Sequence, residues 1–351
     1  MSNSIGTIPD ETAAAPFYFR SVTYNAPNQG PAVIITGAVH GNEVCGTEAI
    51  KRVIQEIESG KLHLKTGMVT FVPVTNPLAY RLGARTGERN LNRKLMPTLN
   101  PGQFEDYVAN WLCPLLAQHD VLLDLHSFSG SGEPFVMVGP ENNRGLIESF
   151  QYAAKEQGLA LRLGVRRVID GWLSAYASGV AQRNADAIAR ANPVEPALEP
   201  KSDAARQDIR PIIQQDVQAG MGVTEYMRVV GGYALTIECG QHQDPNSQQV
   251  GYQAIVNALR YLDILTGEKP QAVTEIMALR LTDMVSKLHD TDRLCTQFAN
   301  FEPVKQDQLL AVRHDGSQVR ANYDGYVLFS DPDAVAGSEW FYLAKDNPRF
   351  L

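Results

Sequence analysis

Apolar positions along this chain fall into two alternating patterns. The first is the continuous β-rich run. Ala32 to Thr36 is the earliest example, and such a run suits a strand buried on both faces. MVTFVPV (68–74), VLLDLHS (121–127), PFVMVGP (134–140) and YALTIECG (233–240) add four more, and 17–24 (FYFRSVTY) alternates like an edge strand. The second pattern has helical spacing. In 46–60 the residues Ala49, Ile50, Val53, Ile54 and Ile57 form one stripe, and 250–265 (VGYQAIVNALRYLDIL) reads as a further helix. Strands alternating with helices predict an α/β fold built on a mixed, mostly parallel sheet flanked by helices. Beyond 266–271 (TGEKPQ) the pattern changes to short β-like runs such as ALRLTDMVSKL, QLLAVRH and EWFYLA, separated by turn residues. We therefore expect a larger domain over 1–267 and a small all-β domain over 272–351. The stretch 190–215 is polar and rich in Ala and Pro, and reads as an insertion.

Sheets of this kind bind ligands outside the carboxyl ends of their strands. His40, Asn76, His126 and Glu238 all fall at or just past such ends. His40-Gly-Asn-Glu43 sits at a strand-to-helix junction, where a His and a Glu three apart can converge on one cation. Alone it reads more readily as a loop His beside a helix-start Glu favoured by the dipole. Asp124-Leu-His126 adds a second His, and period two puts Asp124 on the same face, where it can orient the ring. His40, Glu43 and His126 together make the two-His, one-Glu set of carboxypeptidase-type catalytic zinc sites. Arg85-Thr-Gly-Glu-Arg-Asn-Leu-Asn92-Arg93 is a basic stretch that could polarise a carbonyl or clamp a carboxylate, or simply form a solvated loop. Glu238 ends an apolar strand and could serve as general base, or form a structural ion pair with Arg228. Cys45 and Cys239 read as packing residues, as do Trp172 and Tyr176. His242 is the one remaining histidine close to these motifs.

Composition narrows the function classes. The 351 residues are 44% hydrophobic and 20% charged, the balance of a soluble globular protein. The net charge of -8 argues against nucleic acid or an anionic membrane as main partner, while a local arginine cluster still permits a small anionic substrate. Four scattered cysteines without a CxxC pair, and a start without a basic-then-apolar leader, predict a cytoplasmic protein without disulfides. No apolar run is long enough to span a bilayer.

The motifs HGNE, RxxxxxxNR, DLHS and IExG, in that order, resemble the succinylglutamate desuccinylase/aspartoacylase family, which is related to zinc carboxypeptidases. The resemblance covers roughly 30–265. It implies one zinc ion per chain held by His40, Glu43 and His126, and a deacylase that cuts the amide of a small carboxylate-bearing substrate. It further implies Arg85 on the scissile carbonyl, Asn92 and Arg93 on the substrate carboxylate, Glu238 as the catalytic carboxylate, and Arg228 as a further carboxylate-binding arginine. IECGQH stands where IExGP is more usual, and 172–210 has no counterpart. The competing readings are a metallocarboxypeptidase or amidase acting on peptides, and a non-catalytic small-molecule binding protein. A homo-oligomer is compatible with the family, and composition does not decide it.

Overall fold

A computed structural model describes residues 17–191 and 219–350. The expected insertion lies, from residue 192 on, outside the described residues, as does the chain start through residue 16. The first half alternates strands β1 (Val22–Asn25), β2 (Ala32–Gly37), β3 (Met68–Val72), β4 (Val121–Phe128), β5 (Phe135–Met137) and β6 (Arg167–Asp170) with helices α1 (Cys45–Glu58), α2 (Pro77–Leu82), α3 (Phe104–Leu116), α4 (Ala153–Ala160) and α5 (Trp172–Ala191). Helix α6 (Val223–Val229), strand β7 (Tyr233–Gln241) and helix α7 (Ser247–Tyr261) follow. The rest is almost all strand: β8 (Met277–Ser286), β9 (Arg293–Leu294), β10 (Glu302–Val304), β11 (Leu309–Val312), β12 (Gln318–Arg320), β13 (Gly325–Leu328) and β14 (Glu339–Asp346).

Eleven strands form one sheet in the order β1-β3-β2-β4-β7-β5-β6-β8-β14-β13-β10. Its central run β3-β2-β4-β7 is parallel. The α/β class read from the pattern is the observed one. The later strands divide: β8, β14, β13 and β10 continue the large sheet through the parallel β6–β8 pair, and β12-β11-β9 form a separate small antiparallel sheet. No helix among the described residues is long and apolar enough to cross a membrane.

Period two along the central strands sets the layers. Val33, Ile35, Val121, Leu123, Leu235 and Ile237 face one side, packed with α1, α4 and α7. Their even-numbered neighbours Ile34, Leu122 and Ala234 face the other, packed with α3 and α6. Extending that even register to the carboxyl ends brings Thr36, Asp124, His126, Thr236 and Glu238 to one face, with Asp124 opposite Thr236 and His126 opposite Glu238. The polar residues begin where the apolar register stops, so the site is the open end of the second core layer.

The turn after β2 is fixed by a close approach. Gly41 is buried, and a Cβ there would collide with the backbone carbonyl of Ala79 in α2. Helix α2 is itself pinned: Asn76 caps it, accepting from Ala79 N at 3.2 Å, while Asn76 Nδ2 donates to the buried Glu105 at 2.9 Å. Asn76 is thus spent on local structure and does not join the site. Gly41→Ala should cost about 1–3 kcal/mol or more, because backbone must move on both sides of the contact. Chemical denaturation measures it, and an unchanged midpoint would show that the two segments separate freely.

Candidate metal centre and active site

The centre is assembled from the turn between β2 and α1 and from the neighbouring strand β4. His40 follows β2, Glu43 precedes α1, and His126 lies in β4; all three are buried. Glu43 Oε1 lies 2.8 Å from His40 Nδ1, and Glu43 Oε2 lies 2.8 Å from His126 Nδ1. One ligand atom from each falls within 4.8 Å of the others. Tetrahedral zinc with bonds of about 2.0–2.2 Å separates its ligands by roughly 3.3–3.6 Å, a spacing this cluster reaches with small side-chain shifts.

What stands behind the rings supports that fit. His126 Nε2 lies 2.8 Å from Asp124 Oδ2, and Asp124 Oδ1 accepts from Thr36 Oγ1 at 2.6 Å. His40 Nε2 lies 3.2 Å from Asn90 Oδ1, an oxygen that also accepts from Asn92 N. Each outer nitrogen thus faces an acceptor, which favours the tautomer whose lone pair is on Nδ1, facing the centre. Without a cation, His126 lies between two carboxylates. Burial opposes its charge, but Asp124 and Glu43 outweigh burial and hold its pKa well above the ordinary value. Burial, reinforced by the charge of Arg85, pulls His40 down to about 4. Burial alone would raise Glu43; the two imidazoles overcome it and hold Glu43 well below the carboxylate range. A bound cation would take the place of the protons held between these groups.

Arg85 Nη1 donates to Glu43 Oε1 at 2.9 Å, and the arginine side chain is half exposed toward the cavity it lines. Its loop is ordered by the buried Glu105, which accepts from Gly87 N and Arg89 N. Glu238 is buried, lines the same cavity, and its Oε2 has no hydrogen-bond partner. Burial chiefly pushes its pKa up to about 8, with the charge of His126 acting in opposition.

The cavity has a volume of about 550 Å³. Asn92 and Arg93 line it. Asn92 Oδ1 accepts from Val223 N at 2.9 Å, tying the loop to α6. Arg93 is heavily engaged: Nε and Nη2 donate to the Glu339 carboxylate at 2.6–3.0 Å, and Nη1 donates to Asn92 O at 2.7 Å. Trp172 and Tyr176 stack over its guanidinium at 4.6 and 5.1 Å. Arg228 is not brought to this cavity. Its guanidinium is enclosed by Glu156, Glu148 and Glu225 and donates to Ala234 O, so the pairing partner of Arg228 is that cluster and not Glu238. The placement follows from α6, which buries Arg228 beside β7, where Ala234 O and the three glutamates take its donors.

Several cavity residues carry no motif signal. Glu339 reaches Arg93 across 246 positions of sequence. Asn90 sits inside the basic stretch and was indistinguishable there from a loop residue. Phe298, Asn300, Phe329 and Asp331 come from the C-terminal strands and their loops. All four cysteines are free; Cys45, Cys113 and Cys239 are buried.

Fold and site together define an α/β protein with a large, mostly parallel central sheet and a candidate metal centre at the carboxyl edge of that sheet. Residues 29–163 match the model of the succinylglutamate desuccinylase/aspartoacylase catalytic domain, and the family resemblance read from the motifs is thereby shown over the segment holding His40, Glu43, Arg85, Asn92, Arg93 and His126. The N-alpha-acetyl-L-2,4-diaminobutyric acid deacetylase of Halomonas elongata is 32% identical over 110 residues, which take in 30% of this chain and 31% of that protein's length. Two solved structures share the fold. The product-bound ectoine utilization protein EutE (DoeB) from Ruegeria pomeroyi has a TM-score of 0.63 at 20% identity, covering 93% of this chain and 88% of that one. The succinylglutamate desuccinylase/aspartoacylase from Rhodobacter sphaeroides has a TM-score of 0.65 at 17% identity, covering 94% and 89%.

The raised pKa of Glu238 has a sign that can be tested in metal-free protein. Its ordinary value is 4.5 and its folded value about 8, so between these the native state holds a proton that the unfolded chain has released. The contribution is fully present below 4.5 and lost as pH rises through 8. Metal-free parent should therefore lose stability relative to Glu238→Gln across that window. Parallel thermal-melting curves for the two would contradict the buried, protonated carboxyl.

Proposed function

We propose that this protein is a zinc-dependent amidohydrolase that cleaves the amide of an N-acyl amino acid or a similar small carboxylate-bearing compound. The observation that carries the reading is the convergence of His40, Glu43 and His126 with the unpartnered carboxyl of Glu238 and the half-exposed Arg85 on one cavity. A zinc ion held by the three ligands would supply Lewis acidity, polarising a carbonyl and easing ionisation of water. Glu238, which lines the same cavity with Oε2 unpartnered, would in its ionised form take a proton from the attacking water and return it to the departing amine. Arg85 would add positive charge where the carbonyl oxygen becomes an anion. Asn92 and Arg93 would orient the carboxylate end, with Arg93 held rigid by Glu339 and the two stacked rings. Arg228 would act only at a distance, by fixing Glu225 in the cavity wall.

The cavity volume falls in the range of small-molecule sites. Walls contributed by the C-terminal strands favour a small substrate over an extended peptide. The deacetylase activity in the name of the Halomonas relative supports the reaction class. The absence of disulfides supports a reducing, cytoplasmic setting.

Zinc-loaded protein should release free amine from at least one member of a panel containing N-succinylglutamate, N-acetylaspartate, an Nα-acetyl diamino acid and neutral N-acyl amino acids. Chelator should abolish the release and added zinc restore it. Release from peptides alone would replace this reading with a metallopeptidase, and binding without turnover would replace it with a binding protein.

A further inference from the structure

The end of β7 carries a second polar group into the cavity that the reaction outlined above does not use. Strands β4 and β7 run in register as far as His126 and Glu238, and then the pairing slips to Phe128 and Gln241. β7 thus holds one extra residue over this stretch, at Cys239–Gly240, and Gly240 adopts a φ of +128° that disfavours a side chain. Bulges of this kind re-aim the residues that follow. Here the bulge delivers His242, whose N donates to Phe128 O at 2.9 Å and whose side chain lines the cavity.

The ring is held on one side only. His242 Nδ1 lies 2.8 Å from Ser127 Oγ. Ser127 is itself buried, and its N donates to Glu43 Oε2 at 3.2 Å, so the hydroxyl sits at a fixed place beside the metal cluster. The Ser127 proton has two neighbours that could accept it: the imidazole nitrogen and the thiol of Cys45. Sulfur is a weak acceptor, so the nitrogen takes the proton, and a neutral imidazole then carries its own hydrogen on Nε2. Nε2 has no protein partner among the described residues. Elsewhere in the cavity the obvious donors are already engaged, Arg93 by Glu339 and Asn92 O, and Arg85 in part by Glu43.

We propose that His242 is a substrate-binding residue whose Nε2–H donates a hydrogen bond to an oxygen of the bound N-acyl amino acid, with Ser127 as the positioning residue that fixes its tautomer. The assignment rests on the proposed amide hydrolysis. It adds a neutral donor just past the end of the strand that carries Glu238, so substrate bound there is held beside the carboxyl that exchanges its proton.

The test uses the full zinc-loaded chain and the panel compound that the parent hydrolyses fastest. Steady-state kinetics are measured for His242→Phe, His242→Gln and Ser127→Ala. Binding of the same compound is measured calorimetrically with each change placed in the Glu238→Gln protein. His242→Phe should raise KM and Kd about five- to ten-fold with kcat within about three-fold, the scale of one neutral hydrogen bond. His242→Gln, which keeps an N–H donor, should recover most of the loss, and Ser127→Ala should weaken binding about two- to five-fold at unchanged zinc content. Unchanged Kd in the Phe variant, or a Gln variant no better than Phe, would overturn the assignment while leaving the hydrolase reading intact. Failure of the parent on every panel member would overturn the hydrolase reading, and this assignment with it.

Discussion

The carboxylate of Glu43 is the point on which the site is built. It is buried at the end of an apolar sheet, where an unpaired charge would be costly. Two imidazoles, the guanidinium of Arg85 and the backbone N–H of Ser127 converge on its two oxygens. Those partners come from β2, β4 and the loop after α2, so satisfying one carboxylate fixes three separate segments relative to each other. Gly41 and the cap at Asn76 exist in the same service: they let the turn carrying His40 and Glu43 pack directly on α2.

From that anchor the chemistry separates by depth. Groups facing the centre are held by strong opposite charges, and groups behind the rings are acceptors that settle which nitrogen is free. Glu238, one strand further along at the register of His126, has neither kind of partner for Oε2, and its burial pushes its pKa up to about 8. The same register places the Glu238 carboxyl beside the candidate ligands.

The sequence made the central strands and the candidate cluster of His40, Glu43 and His126 legible because both follow local patterns. His40, His126 and Glu238 lie toward or just past the carboxyl ends of apolar runs, where polar residues begin to replace apolar ones. Arg85, Asn92 and Arg93 were legible through the order of motifs, and all three line the cavity. What could not be read depends on distance in sequence. The bond from Arg93 to Glu339 joins the basic loop to a strand near the chain end, and no local pattern announces it. Arg228 misled for the opposite reason: its spacing from Glu238 is right for a cavity residue, but three buried glutamates around it decide where the guanidinium points. Trp172 and Tyr176 read as packing residues, and they do pack, with the guanidinium of Arg93 as their partner.

The most direct test of the central claim is a calorimetric titration of zinc into metal-free protein, run on the parent and on His126→Ala and Asp124→Asn. One tight equivalent per chain is predicted for the parent. His126→Ala should abolish it, and Asp124→Asn should weaken it about ten- to one hundred-fold by releasing the ring that Asp124 orients. A parent that binds no zinc, or a His126→Ala protein that binds it as tightly as the parent, would contradict the assignment of His40, Glu43 and His126 as the metal centre.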